Sequence, residues 1–142
     1  MTLHQFIGTW GQACRWSGAR VRKYATKEAK GVMETWLIGK AEHAENFAMR
    51  YYEIAANGHS RQESHSHDHG ILVLQGMGQV QVEKDLLEIS RGDVLYIPPD
   101  TLHQIINVDQ EPLGFICVIP AKRKKQGESV WAEEGLSGLE MT

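Results

Sequence analysis

From Val32 to Ile119 the chain is a succession of short β-prone runs, and almost every junction between them carries Gly, Asn, Asp or Pro. The runs are Val32–Ile38, Phe47–Ala55, Ile71–Gln75, Gln79–Val82, Leu86–Ile89, Val94–Ile97, Gln104–Val108 and Leu113–Ile119. Short strands at regular spacing, with no long helical pattern between them, predict an all-β fold: an antiparallel sandwich or barrel. The flanks read differently. Leu3, Phe6, Ile7, Trp10 and Cys14 recur at helical spacing, and Thr2 with Gln5 fits a capping box, which predicts a short helix over residues 3–14. Gly8 and Gly11 oppose it, since glycine weakens a helix interior. The organisation expected is therefore an N-terminal extension with a short helix and a first strand (residues 1–30), a β-barrel (31–121) and a polar C-terminal tail (122–142). In that tail Lys122–Lys125 reads as a solvated charge cluster, and Trp131 as a residue docked on the barrel.

Composition narrows the class of protein. The 142 residues suffice to bury one core, and 42% hydrophobic with 23% charged residues is ordinary for a globular domain. A formal charge of −3 gives no reason to expect nucleic acid or an anionic membrane as partner. No apolar run approaches the ~18 residues of a membrane span. Met1 to Trp10 lacks the basic-then-apolar order of a signal peptide, so a cytoplasmic location is expected. Cys14 and Cys117 lie far apart and read as two free, buried thiols rather than a disulfide framework.

The chemistry concentrates between Gly58 and Gly76, GHSRQESHSHDHGILVLQG. His65, His67 and His69 fall within five residues, and Glu63 precedes His65 by two. Strand residues two apart share a face, so alternate side chains can aim at one point. Neutral imidazole is the commonest protein ligand of first-row divalent metals, with carboxylate a frequent companion. One strand cannot surround an ion, and His103, in GDVLYIPPDTLHQIIN, is the candidate from elsewhere in the chain. Pro98-Pro99-Asp100 is a turn signal after a β-prone run, so a new strand should begin near His103. Taken alone, His103 reads as a surface histidine capping a turn rather than as a ligand.

Together these stretches resemble the paired motifs of the cupin superfamily. The first motif is matched by Asn57, five residues, Glu63-Ser64-His65, three residues, His69, six residues and Gly76. The second is matched by Gly92, five residues, Pro98-Pro99-Asp100, two residues, His103, three residues and Asn107. The resemblance covers roughly Phe47 to Pro120 and implies a small jelly-roll barrel, the double-stranded β-helix, holding one divalent metal ion with Glu63, His65, His69 and His103. The family's usual order is altered: Glu63 stands where a His is usual, and His69 where a Glu is usual. Asn57 and Asp100 replace turn glycines, a change that residues able to visit left-handed conformations tolerate. A second register, with His65-Ser66-His67 as the His-x-His pair, leaves Glu63 outside the shell but misplaces both the acid and Gly76. In the favoured register Ser66-His67-Asp68 turns the chain and His67 sits at the cavity mouth.

Parity from His69 then points Ile71 and Val73 inward, and parity from His103 points Ile105 and Asn107 inward. Trp36, Met49, Tyr51 and Cys117 can face either way. Mixed imidazole and carboxylate ligation suits Fe, Mn, Ni, Co or Zn, and four protein ligands on a six-coordinate ion leave two positions for a small organic substrate. A closed structural zinc site is disfavoured, because thiolates dominate such sites. The resemblance implies a metal-dependent enzyme, with dioxygenase-like chemistry the commonest case and Glu63 available as a base. Isomerases and lyases use the same shell, and a non-catalytic binding or sensor module is the alternative. A homodimer is expected, with Met33–Ile38 or Phe47–Tyr52 apolar enough to meet a second copy.

Overall fold

A computed structural model describes residues 1–24, 27–134 and 138–141. Twelve strands follow in order: β1 Val21–Tyr24, β2 Lys30–Ile38, β3 Phe47–His59, β4 His69–Gln75, β5 Met77–Val82, β6 Asp85–Ser90, β7 Val94–Ile97, β8 His103–Ile106, β9 Leu113–Pro120, β10 Lys122–Lys125, β11 Glu128–Trp131 and β12 Gly138–Met141. Their order is that of the β-prone runs, with β1, β10, β11 and β12 added. All pairings are antiparallel, and the main sheet curls into a half-barrel. β3 is its axis, pairing β2 on one side (Arg50↔Trp36) and β9 on the other (Arg50↔Cys117). Beyond β9 come β4 and then β7, while the far end of β3 meets β8 at His59↔Ile106 and leads on to β5 and β6. Register shifts at Lys30/Val32, Trp36/Ile38 and Val73/Gln75 mark where the strands bend.

Alternation along the strands makes the interior. His69, Ile71, Val73 and Gln75 of β4 are buried while the residues between them are not, and β8 repeats this with His103 and Ile105. Val32, Ile54, Val80, Leu113, Phe115 and Ile119 complete this core. Each fully buried side chain of this size stabilises by roughly 1.5–3 kcal/mol. The two glycine replacements adopt the conformation expected of them, with φ of 62° at Asn57 and 57° at Asp100. Parity fails at Asn107. The residue is buried, but its amide donates to the carbonyls of Ile54 and Glu111 at 2.9 Å and ties down the β8–β9 loop instead of facing the cavity.

The N-terminal helix is not formed. Residues 6–16 fold back on themselves, with bridges Phe6↔Trp16 and Thr9↔Ala13 and a turn at Gly11, φ 82°. The helical spacing misleads because its residues do not share a buried face: Leu3, Ile7 and Trp10 are 75%, 66% and 52% exposed. Phe6, Cys14 and Trp16 instead pack on Met49, Tyr51, Leu74 and Ile116, covering the outer face of β3, β4 and β9. Gly8 permits this, since a Cβ there would lie 2.1 Å from the Ala13 carbonyl oxygen.

The basic run is largely exposed, as expected of a solvated charge cluster, but it is a strand and not a loose tail. Lys122–Lys125 is β10, paired with β11 in a separate hairpin in which Lys122 Nζ lies 4.4 Å from the Trp131 ring centroid. Trp131 packs against His43. The rest of the polar tail falls partly outside the described residues. The two runs expected to meet a second copy, in β2 and β3, are paired on both sides within the chain: Met33–Thr35 with β1 and β3, and Phe47–Ile54 with β9 and largely with β2. Among the described residues no helix is long and apolar enough to cross a membrane.

Candidate metal centre

Backbone pairing brings the two histidine stretches together. Glu63 and His103 exchange N–H···O bonds of 3.0 and 2.9 Å, so the segment before β4 runs as a single bridge alongside the start of β8. The Asp100 N–H then donates to the His65 carbonyl at 2.6 Å, locking the Pro98–Asp100 turn against the histidine loop. His69 opens β4 and His103 opens β8, and both side chains are buried. Their rings lie 4.9 Å apart, and the His65 ring lies 5.3 and 5.6 Å from them. One ring nitrogen from each of His65, His69 and His103 falls within 4.8 Å of the other two.

The donors suit a divalent cation. His103 Nδ1 meets the Thr101 carbonyl at 2.9 Å, which fixes the proton on that nitrogen and leaves the Nε2 lone pair free. His69 Nδ1 meets Cys117 Sγ at 3.4 Å, while its Nε2 is buried without a partner. An unpaired buried nitrogen costs about 1–3 kcal/mol, which a bound ion offsets. Burial above all, then the Arg50 charge and the neighbouring imidazoles, lowers the His69 pKa to about 2. The ring is therefore neutral at pH 7, as ligation requires.

Glu63 and His67 flank the triad. Glu63 Oε1 lies 3.2 Å from His65 Nε2 and its Oε2 lies 3.6 Å from Arg61 Nε. A 3.2 Å spacing suits a hydrogen bond, and it also suits adjacent donors on one ion with bonds of about 2.1 Å. Burial tends to raise the Glu63 pKa, but the His65 hydrogen bond and the His65, Arg61 and His103 charges outweigh it and lower it, so the carboxylate is ionised. The His67 ring stacks on His65 at 4.9 Å and lies 4.9 Å from His69. Burial, then His65 and Arg50, lowers its pKa to about 4. Three of the four residues expected from sequence thus converge; the fourth, Glu63, stands beside them with its carboxylate on His65.

Sequence reasoning missed the inner wall. Arg50 of β3 is buried between the rings of Trp36 and Tyr52, with its guanidinium carbon 5.4 and 4.9 Å from their centroids. It donates to the Tyr52 hydroxyl at 2.6 Å and to Cys117 Sγ at 3.1 Å. Glu34 of β2 accepts from Tyr52 (2.5 Å), Trp36 (2.6 Å) and Tyr24 (2.8 Å), and lies 3.9 Å from Arg50. A chain of contacts therefore runs from Glu34 through Arg50 and Cys117 to His69. Cys117 is buried as expected and faces the cavity; burial raises its thiol pKa more than Arg50 lowers it, so it stays protonated. Met49 and Tyr51 face the other way, under the N-terminal segment. Alternation along β3 was the available signal for Arg50 and Tyr52, because both share parity with buried Ala48 and Ile54. The cavity has a volume of about 310 Å³. Its wall combines the histidines and Glu63 with apolar Val32, Ile54, Ile71 and Phe115.

A curled antiparallel sheet with histidines at the starts of two strands facing one small cavity is the architecture of a cupin, with a histidine cluster that could hold a metal ion. The family described as the cupin domain matches residues 50–119. A cupin 2 conserved barrel domain protein from Rhodopseudomonas palustris is 30% identical with a TM-score of 0.76, over 87% of this chain and 83% of that one. A cupin-2 domain protein from Rhodospirillum rubrum is 28% identical with a TM-score of 0.73, over 91% and 84% of the two chains. The chain belongs to the cupin family. A further relative from Rhodospirillum rubrum, 1-methylthio-D-xylulose 5-phosphate methylsulfurylase, is 36% identical over 77 residues, 54% of this chain. That match spans about half the length of the relative, 49%.

Proposed function

We propose that this cupin is a divalent-metal-dependent enzyme that acts on a small, oxygen-rich organic molecule and moves a proton next to a carbonyl group, with Glu63 as the proton acceptor. The observation that carries this reading is the convergence of His65, His69 and His103 on one cavity, with an ionised carboxylate beside them. His65, His69 and His103 would hold the ion, with Glu63 a fourth donor where its carboxylate turns from Arg61. When bound, the ion supplies Lewis acidity toward a carbonyl or hydroxyl oxygen of the substrate. The protein's own groups do the rest. Glu63 takes the proton, and His65 Nε2, 3.2 Å from Oε1, orients the ionised carboxylate beforehand. Ile54, Ile71 and Phe115 exclude water, and the Cys117 thiol remains a neutral wall group. The methylsulfurylase relative acts, by its name, on a small ketose derivative, which supports an enzyme of small molecules over a sensor module.

The test begins with metal analysis of protein purified without a histidine tag, where the expected result is about one divalent ion per chain. His103→Ala should lose most of it, and full occupancy in that variant would show that the shell is wrong. Solvent deuterium exchange into dihydroxyacetone, followed by NMR, should require the ion and fall at least 10²-fold in Glu63→Gln, the scale of a lost general base. Dioxygenase-like oxidation is the competing chemistry at the same ligands. Oxygen uptake on enols, catechols or thiols without deuterium exchange would assign the chain to that class instead.

A further inference from the structure

A neutral histidine offers a cation one ring nitrogen only when the proton sits on the other, and the partner of that other nitrogen decides where the proton is. For His103 the partner is the Thr101 carbonyl, which can only accept, so the proton belongs on Nδ1. His69 has no such carbonyl. Among the described residues the partner of its Nδ1 is the Cys117 thiol at 3.4 Å, and a thiol can either accept or donate. The tautomer of His69 therefore turns on what else surrounds that sulfur.

Strand register places the sulfur. Cys117 of β9 stands opposite Arg50 of β3 and opposite Ile71 of β4, so His69, two residues before Ile71, is its diagonal neighbour on the inner face. Arg50 Nη2 donates to Sγ at 3.1 Å. A guanidinium has donors only, so it meets the sulfur at a lone pair and turns the S–H bond away from itself. Arg50 is in turn held by the Tyr52 hydroxyl at 2.6 Å and by Glu34 at 3.9 Å. A second observation lies at the far end of the His69 ring, where Nε2 is buried without a partner. With the proton on Nε2, a strong N–H donor would be stranded there at the full cost of a buried unpaired group. With the proton on Nδ1, the N–H has the sulfur as acceptor, and only the S–H, a weak donor, goes unanswered.

We propose that Cys117 is a positioning residue of the histidine site: its sulfur accepts the His69 Nδ1–H and so keeps the Nε2 lone pair open beside His65 and His103. This rests on the metal-enzyme reading above and gives a role in that site to a residue outside the ligand set. Arg50 and Glu34 act one step further back, by holding the sulfur. A thiol sulfur is a weak acceptor, so its loss is worth the lower end of what partners of metal-binding histidines contribute, about tenfold in affinity or about 1.4 kcal/mol. Cys14 supplies a control of the same residue type. It is also a buried thiol, but it lies on the outer face and bonds to Gln75 at 3.4 Å.

The test pairs two measurements on the metal-free full chain at pH 7. Long-range proton–nitrogen NMR correlations report which ring nitrogen of each histidine is protonated, the His69 signals being those lost in His69→Gln. Zn²⁺ is the probe of affinity, titrated in competition with a chelating dye. Wild type should show His69 protonated at Nδ1. Cys117→Ala should shift it toward the Nε2–H form that free histidine prefers and weaken Zn²⁺ binding about tenfold, while His103 keeps its Nδ1 proton. Cys117→Ser, which retains an acceptor, should recover part of both, and Cys14→Ala should move neither. The two readings fail separately. If wild type binds no Zn²⁺ but Cys117→Ala still removes the His69 Nδ1 proton, the hold of the sulfur on His69 stands and the metal reading falls. If Zn²⁺ binds and both measurements ignore Cys117→Ala, the positioning is wrong and the metal site stands. A wild-type His69 protonated at Nε2 overturns the proposal even where Cys117→Ala fails to fold, and so does a Cys14→Ala loss of Zn²⁺ affinity equal to that of Cys117→Ala.

Discussion

Replacing Glu34 by Gln keeps the shape of the inner wall and removes one charge. Glu34 is 1% exposed and is the counter-ion of Arg50, itself only 7% exposed. The glutamine amide oxygen can still accept from Trp36, and the Tyr24 and Tyr52 hydroxyls can reorient, so most hydrogen bonds find a substitute. What has no substitute is the negative charge. Breaking a buried ion pair by removing one partner costs about 3–5 kcal/mol, because the other charge stays buried. With the hydrogen bonds largely kept, the lower end applies, about 3 kcal/mol out of the ~5–15 kcal/mol that domains possess. At roughly 3–4 °C per kcal/mol for a chain of this length, Tm should fall by about 10 °C. The assay is scanning calorimetry of metal-free protein at pH 7, so that ion binding does not add its own stabilisation. Glu34→Leu combined with Arg50→Met supplies the second arm. Because the paired apolar replacement leaves no orphan charge, the double variant should be more stable than Glu34→Leu alone. A Tm change below about 3 °C for Glu34→Gln, or a double variant that loses the sum of its singles, refutes the view that the pair is a coupled buried charge.

Three shorter expectations concern the histidines and the turn residues. The His69 pKa is lowered from 6.5 to about 2 by burial and Arg50, and that of His67 to about 4. The unfolded chain therefore takes up protons that the native state refuses, and metal-free protein should lose stability as pH falls from 6.5 toward 4, with His69 alone contributing up to ~1.4 kcal/mol per pH unit. Urea midpoints that stay flat over that interval would remove the argument. At Gly76, φ is 79° and a Cβ would lie 2.3 Å from the Pro112 carbonyl oxygen, so Gly76→Ala should lower the urea midpoint by the equivalent of ~2 kcal/mol or more. Asn57→Gly, at φ 62°, should change it by less than about 1 kcal/mol, since glycine accepts that conformation freely.

What the sequence disclosed and what it withheld divide along one physical line. Alternation and turn chemistry are local, so the barrel strands, the left-handed Asn57 and Asp100, and the facing of His69 and His103 could be read directly. The histidine triad was legible because two turn signals set strand starts, and strand starts set parity. Period alone failed at residues 3–14, where helical spacing of apolar residues coincided with a hairpin. There glycines at the turn and the close approach of Gly8 to Ala13 decided the backbone, and tertiary packing of Phe6, Cys14 and Trp16 on the outer sheet chose which residues were buried. The charged wall was withheld for a different reason. Arg50, Glu34 and Cys117 sit on three strands brought into register only by the pairing of β3 with β2 and β9. In isolation each reads as a surface charge or a spare thiol. Lys122 and Arg123 show the same dependence: as a sequence they are a solvated run, and only the β10–β11 hairpin brings them beside the cavity. A burial pattern states which positions face inward. Whether an inward charge is a structural pair or an open donor depends on partners that the fold supplies, and for Arg50 those partners, Glu34, Tyr52 and Cys117, come from three strands that only the folded sheet sets side by side.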